Sequence, residues 1–111
     1  MKKSFLLACV FLAVDTAHAD RITRMNQTEL CTYTAQLEVA AYYYFEQGTA
    51  LADVKMKWHG DETQNEIDFV SQTVADAYAW LAKWKESSNA LIPVTSFGDM
   101  VYQTCMSRKE S

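Results

Sequence analysis

The sequence predicts a small all-α protein: a four-helix domain, orthogonal or bundle-like, whose first and last helices are joined by one disulfide. Two observations favour this fold class. The 111 residues include only three glycines and one proline, too few for the turns of a typical β-sandwich. Apolar residues also recur at helical spacing along most of the chain. Three long or medium helices and one short helix are therefore expected.

Length and charge exclude several classes of protein. A chain of 111 residues that is half apolar is too short for a multidomain enzyme and too apolar for a disordered protein. Its 10 basic side chains are outnumbered by 14 acidic ones. Because nucleic-acid binding depends on basic side chains that neutralise phosphates, a nucleic-acid partner is disfavoured.

Residues 1–19 have the pattern of a cleavable signal peptide of bacterial type. Lys2 and Lys3 precede ten uncharged residues, 5–14, and Ala17-His18-Ala19 forms the small-x-small pattern of a cleavage site. Ten apolar residues are too short to span a bilayer, so no stable membrane anchor is expected. The sequence predicts cleavage after Ala19 and export to the periplasm, or secretion.

Cys9 offers an alternative to this cleavage. Leu6-Leu7-Ala8-Cys9 loosely resembles a lipoprotein lipobox, in which the cysteine becomes the lipidated N-terminus. The uncharged run before Cys9 is short for an export signal, so cleavage after Ala19 is favoured. Residues 20–111 then form a single helical domain with 8 basic and 13 acidic side chains.

Two cysteines, Cys31 and Cys105, remain after this cleavage. Disulfides persist in oxidising compartments, so an even pair in an exported protein predicts a bond between them. The chain has no Cys-x-x-Cys motif, and no other cysteine or histidine lies at metal-ligand spacing from either residue. The bond requires the start of the first helix to meet the end of the last one, which favours an antiparallel pair.

The first helix is predicted over residues 28–47, after a polar and frayed lead-in over 20–27. Thr28 is the expected N-cap, with Glu29 well placed for the helix dipole, and Gly48 supplies a stop. One face of this helix is mostly apolar and carries Leu30, Thr34, Leu37, Ala41 and Tyr44. A short second helix is predicted over 50–58, because Leu51, Val54 and Trp58 align at i, i+3 and i+7.

The third helix is predicted over residues 63–86 and the fourth over 96–107. Thr63 and Glu66 have the spacing of a capping box at the start of the third helix. Two adjacent apolar stripes follow, so this helix is expected to touch several neighbours. Ser96 and Asp99 give a weaker box for the fourth helix, and Cys105 lies near its end.

The only grouped candidates for chemistry are His59, Asp61 and Glu62. Imidazole and carboxylate groups bind divalent metals, so these three residues are weak candidates for a metal site or for a small hydrolase. A polar turn after a helix explains them equally well. No catalytic motif and no cofactor-binding motif is recognised elsewhere.

Aromatic residues are in surplus on the first helix, where Tyr42-Tyr43-Tyr44-Phe45 point around its whole circumference. Val39, Tyr42 and Tyr43 lie away from the predicted core face, so they are a candidate interaction patch or homodimer seam. The alternative is that the second helix or the connection over 87–94 covers these rings within the monomer.

These features favour a non-catalytic exported protein that binds another protein, of the inhibitor, immunity or adaptor kind. This expectation rests on similarity in general architecture to small exported helical proteins of those kinds. One alternative is a small periplasmic hydrolase or metal-binding protein centred on His59, Asp61 and Glu62. Another is a subunit of a cell-envelope assembly in which the tyrosine surface is permanently covered.

Overall fold

The computed structural model describes residues 20–108, and this part of the chain is helical without a β-strand. The helices are α1 (Gln27–Glu46), α2 (Gln64–Ser88) and α3 (Val94–Ser107), with one 3₁₀ turn at Leu51–Asp53. The predicted all-α class is confirmed. The predicted signal peptide and Cys9 lie outside the described residues.

Local capping chemistry sets the helix starts. Asn26, not Thr28, caps α1, because its side chain and that of Glu29 satisfy each other's backbone N–H groups. The predicted capping box of Thr63 and Glu66 at α2 is confirmed. The last helix begins at Val94 after Pro93, so the Ser96–Asp99 box predicted to start it lies inside the helix. Proline fixes a backbone angle suited to a helix start and ends the preceding connection.

The three helices pack mainly through α1. The predicted disulfide joins Cys31 near the start of α1 to Cys105 near the end of α3, with 5.5 Å between their Cα atoms. These two helices are therefore antiparallel. At the middle of the pair a Cβ on Gly98 would lie 3.2 Å from Val39 Cγ2, so the backbones approach closely there.

Helix α2 runs parallel to α1. Tyr33 near the start of α1 stacks on Phe69 near the start of α2, and Phe45 at its end meets Tyr78 farther along α2. The connection between the two helices must therefore return along the whole length of α1, about 30 Å for 20 residues.

That return explains why the helix predicted over residues 50–58 is not formed. After the 3₁₀ turn the chain is extended at Val54 and forms no helix before a bend at Gly60, and we call residues 54–62 the strap. An extended chain advances about 3.3 Å per residue, against 1.5 Å in a helix. The six residues 54–59 span about 20 Å when extended and about 9 Å in a helix, so a helix there would make the connection too short.

A single core lies between the three helices. Phe97 and Leu81 are the largest fully buried side chains of this core among the described residues. Phe97 touches the rings of Tyr42 and Trp80, at centroid distances of 5.6 and 5.5 Å, so one residue of α3 links the other two helices. Val54 and Met56 of the strap pack against the same core.

The lead-in over residues 20–27 is fixed to the domain, unlike the frayed segment predicted. The Arg21 guanidinium binds the carboxylates of Asp61 at 2.7 Å and Glu66 at 3.0 Å, and its backbone N–H also donates to Glu66. Glu66 is buried, and it needs these donors because an unpaired buried carboxylate is costly. Asp20 caps the turn that follows it and accepts a bond from Asn65.

Candidate functional site

The predicted patch of Val39, Tyr42 and Tyr43 is not one exposed surface. Tyr42 is 5% exposed and belongs to the core, whereas Tyr43 is 47% exposed. Val39 is half-buried and faces Gly98 of α3. The prediction was wrong for Tyr42 because α3 and the connection before it cover that side of α1.

Three tyrosine hydroxyls hold the non-helical connections to the helices. Tyr42 donates to the carbonyl of Ile92 at 2.6 Å, Tyr44 to that of Lys55 at 2.8 Å and Tyr78 to that of Thr49 at 2.7 Å. The rings of Tyr42 and Tyr78 pack in or against the core, and all three hydroxyls satisfy backbone carbonyls that lie outside the helices. Part of the aromatic surplus thus has a structural role, as the monomer alternative predicted for Tyr42 and Tyr44.

The metal candidates His59, Asp61 and Glu62 form a turn instead of a ligand set. Glu62 accepts from the backbone N–H groups of His59 and Gly60, and the positive φ of Gly60 permits the turn. These bonds lower the pKa of Glu62, and the bond from Arg21 lowers the pKa of Asp61. Both carboxylates are engaged, and within residues 20–108 no three side chains are grouped as metal ligands.

The candidate functional site is a groove between the strap and α2, which we call the strap groove. Its volume is about 620 Å³. Exposed Leu51 and Trp58 stand at its edges, and Trp58 is 47% exposed. Its lining is mostly apolar and includes Val54, Met56, Val70, Val74 and Ala75. Large apolar side chains that gather at a surface groove are typical of protein-binding sites.

The backbone of the strap adds polar groups to this site. Within the described part of the chain, the N–H groups of Met56, Lys57 and Trp58 donate to no protein atom. An extended segment with unpaired N–H groups can pair with a second extended segment. Lys55 and Lys57 are exposed on the same stretch and make it locally basic on an acidic protein.

The space under the strap is incompletely filled. A cavity of about 250 Å³ lies between the strap and the starts of α1 and α2, bordered by Tyr33, Leu37, Met56 and Trp58 among others. Met56 and Trp58 border both this cavity and the strap groove. The strap therefore has space on two sides, and it is held by the packing of Val54 and Met56 on the core and by hydrogen bonds at Lys55 and His59.

The sequence also contains a pattern that predicts an extended strap, but a helical pattern overlaps it. Val54, Met56 and Trp58 alternate with Lys55 and Lys57, the period of a half-buried extended segment. The helical spacing of Leu51, Val54 and Trp58 competes with it over the same nine residues. Short apolar segments commonly satisfy both patterns, and the length of the return connection decides between them.

A second groove lies on another face of α2, between α2 and α3. We call it the Glu38 groove, because Glu38 lies on the α1 surface that forms its floor. Its volume is about 480 Å³, and Phe69, Trp80 and Met100 form apolar parts of its walls. Within residues 20–108, Glu38 accepts no hydrogen bond, and Arg108 at one end of the groove lies beyond ion-pair distance.

Burial and the neighbouring carboxylate of Asp76 raise the pKa of Glu38 from its ordinary 4.5 to about 7, against a smaller opposing effect of Arg108. Asp76 itself accepts a bond from Gln72 at 2.8 Å. The fold thus keeps an ionisable group where its charged form is poorly solvated.

Glu38 should make the protein less stable as the pH rises from about 4.5 to 7. The folded state holds the Glu38 proton more tightly than the unfolded state, so the free energy of unfolding falls across this interval. Asp61 and Glu62 act oppositely, because their pKa values are lowered and their contribution is lost in acid. We expect maximal stability near pH 5.

Urea unfolding of the wild type and of Glu38→Gln between pH 4 and pH 8 tests this expectation. The variant should be more stable than the wild type at pH 8, and the difference should shrink toward pH 5. A variant that is less stable at every pH would contradict the assignment.

Comparisons with known protein families, with curated proteins and with solved structures found no match. Among residues 20–108, no helix has the length and apolar character needed to cross a membrane.

Proposed function

We propose that the protein is exported and binds a segment of another protein at the strap groove, without catalysis of its own. The observation that carries this proposal is the placement of Trp58 and Leu51, both largely exposed, at the edges of one apolar groove. Tryptophan is among the residue types that contribute most to the energy of protein-binding surfaces. Inhibitor, immunity and adaptor roles all require such a surface.

The chemistry of the strap indicates an extended, apolar partner segment that carries acidic residues. Unpaired N–H groups of Met56–Trp58 suit a partner backbone that pairs as an added strand. The floor formed by Val70 and Val74 suits apolar side chains, and Lys55 and Lys57 suit carboxylates.

Export to the periplasm or secretion is supported by the leader pattern of residues 1–19 and by the disulfide. A bond between Cys31 and Cys105 is stable in an oxidising compartment and rare in the cytosol. The partner is therefore sought among envelope and secreted proteins.

Trp58→Ala is expected to weaken partner binding at least about tenfold, because central tryptophans of interfaces contribute about 2 kcal/mol or more. The matched control is Trp84→Ala, which removes another exposed tryptophan, one that lies on α2 and is 38% exposed. Partners captured by a photo-crosslinker at Lys57 from envelope and secreted fractions are identified, and their affinity is then measured by calorimetry.

A partner that depends on Trp58 and is indifferent to Trp84 supports the strap groove. Equal effects of the two substitutions, or crosslinks to a second copy of the chain only, would overturn the proposal. The latter result would favour the homodimer that the tyrosine-rich helix suggested.

The exposed area around Trp58 also favours one alternative, a subunit of an envelope assembly whose groove is permanently covered. The two functions differ in the lifetime of the complex. A subunit would co-purify with its partner through extended washing at high salt, whereas an inhibitor or adaptor would be recovered largely free.

A further inference from the structure

The Glu38 groove has walls and a floor of different chemistry. Leu30, Thr34 and Glu38 recur at four-residue spacing on α1 and form the floor. Phe69 and Trp80 belong to one wall and Met100 to the other. An occupant would therefore meet apolar and aromatic side chains along the sides and a carboxylate below.

The charges facing the groove are two carboxylates and one guanidinium. Asp76 on α2 is close enough to Glu38 on α1 to oppose its ionisation, and Arg108 follows α3 at one end. Arg108 is exposed and makes no ion pair with either carboxylate within the described residues. Among the described residues, the carboxylates at the centre of the groove have no ion-pair partner.

We propose that the Glu38 groove binds a small free alkylamine, a primary ammonium group carried on a short apolar stem. The ammonium group donates hydrogen bonds to Glu38 and Asp76, which supplies a positive partner that residues 20–108 do not place there. The stem lies against Phe69, Trp80 and Met100.

Charge and size together select this occupant. An anion would meet two carboxylates, and a neutral apolar molecule would bury Glu38 further without a hydrogen bond. Alkylamines stay protonated below about pH 10, so the ligand is charged at every pH of interest. The volume of about 480 Å³ lies within the range of small-molecule sites.

This site is independent of the strap groove. Within the residues that line them, the two grooves share none, and they lie on different faces of α2. Failure of one proposal therefore leaves the other intact. Trp58→Ala should leave alkylamine binding unchanged, and Glu38→Gln should leave partner binding unchanged.

The test is an NMR titration of the protein, recovered after expression of the full chain, with pentylammonium chloride and with 1-pentanol. The two probes have the same stem and differ in charge. At pH 8 pentylammonium is expected to bind at least about tenfold more tightly, because one charge-assisted hydrogen bond contributes that much. Amide signals of Thr34, Phe69 and Thr104 should shift.

Glu38→Gln should reduce the affinity for pentylammonium about tenfold, because it removes one charge-assisted hydrogen bond and leaves Asp76 in place. Glu46→Gln, an exposed carboxylate farther along the same helix, is the matched control and should change nothing. Lowering the pH from 8 to 6 should weaken pentylammonium binding about tenfold as Glu38 becomes protonated.

Equal binding of the two probes, or unchanged binding in Glu38→Gln, would overturn the proposal. A third probe, lysine blocked at both ends, separates a free amine from a side chain of a partner protein. Tighter binding of blocked lysine than of pentylammonium would overturn the small-molecule occupant and assign the groove to a lysine of a partner.

Discussion

Replacing both Cys31 and Cys105 by alanine is expected to lower the free energy of unfolding by about 4 kcal/mol. The bond closes a loop of about 75 residues, and restricting the unfolded chain by a loop of that length contributes about 4.5 kcal/mol in the chain-entropy account. Small domains have total stabilities of about 5–15 kcal/mol, so the double variant should be partly unfolded at 37 °C.

Urea unfolding followed by circular dichroism measures this effect. Wild-type protein in excess dithiothreitol is the control, since it loses the bond and keeps both sulfur atoms. The two samples should agree within about 1 kcal/mol, because most of the effect lies in the unfolded chain. A double variant as stable as the oxidised wild type would contradict the structural role of the bond.

Tyr42→Ala is expected to lower the free energy of unfolding by about 4 kcal/mol, and Tyr43→Ala by less than about 1 kcal/mol. The two residues are neighbours on α1 and differ mainly in burial, 5% against 47% exposed. Loss of Tyr42 leaves a cavity beside Phe97 and removes the hydrogen bond to Ile92.

A third variant, Tyr42→Phe, separates the ring from the hydroxyl. It keeps the packing and removes only the donor to Ile92, so it should lower the free energy of unfolding by about 1–2 kcal/mol. Thermal and urea unfolding of the three variants check the ranking. Similar effects of Tyr42→Ala and Tyr43→Ala would mean that α1 presents a different face to α3.

Much of the helical framework could be predicted from the sequence. The helix predicted over residues 63–86 is observed at Gln64–Ser88, with the predicted capping box at Thr63. Local signals of this kind act within a few residues, so one sequence carries them. The disulfide was predictable because two cysteines remain after cleavage and the expected compartment is oxidising. The structure contains this bond.

The connections could not be predicted in the same way. Whether residues 50–58 are helical depends on the distance between the ends of α1 and α2, which is known only once those helices are parallel. The burial of Tyr42 likewise depends on Ile92 and Phe97, about 50 residues away. Arg21 lies in a polar segment without periodicity, and its ion pairs with Asp61 and Glu66 are visible only in three dimensions.

The candidate site was missed for a related reason. The sequence predicts a helix over residues 50–58, and exposed apolar residues on such a helix do not by themselves indicate a binding site. The groove arises because the strap and α2 lie side by side, and Val70 and Val74 then become its floor. No sequence pattern distinguishes Glu38 from other glutamates on helices. Its position becomes unusual because α2 and α3 form a groove around it.

The covalent link between Cys31 and Cys105 has a consequence for how the exported chain withstands proteases. The strap lies between these two residues in the sequence, and its exposed lysines, Lys55 and Lys57, are natural cleavage points. A single cut there separates the backbone into two pieces that stay bound through their sulfur atoms. The helices remain one molecule, so a nicked form keeps its three-helix body while the strap gains two free ends.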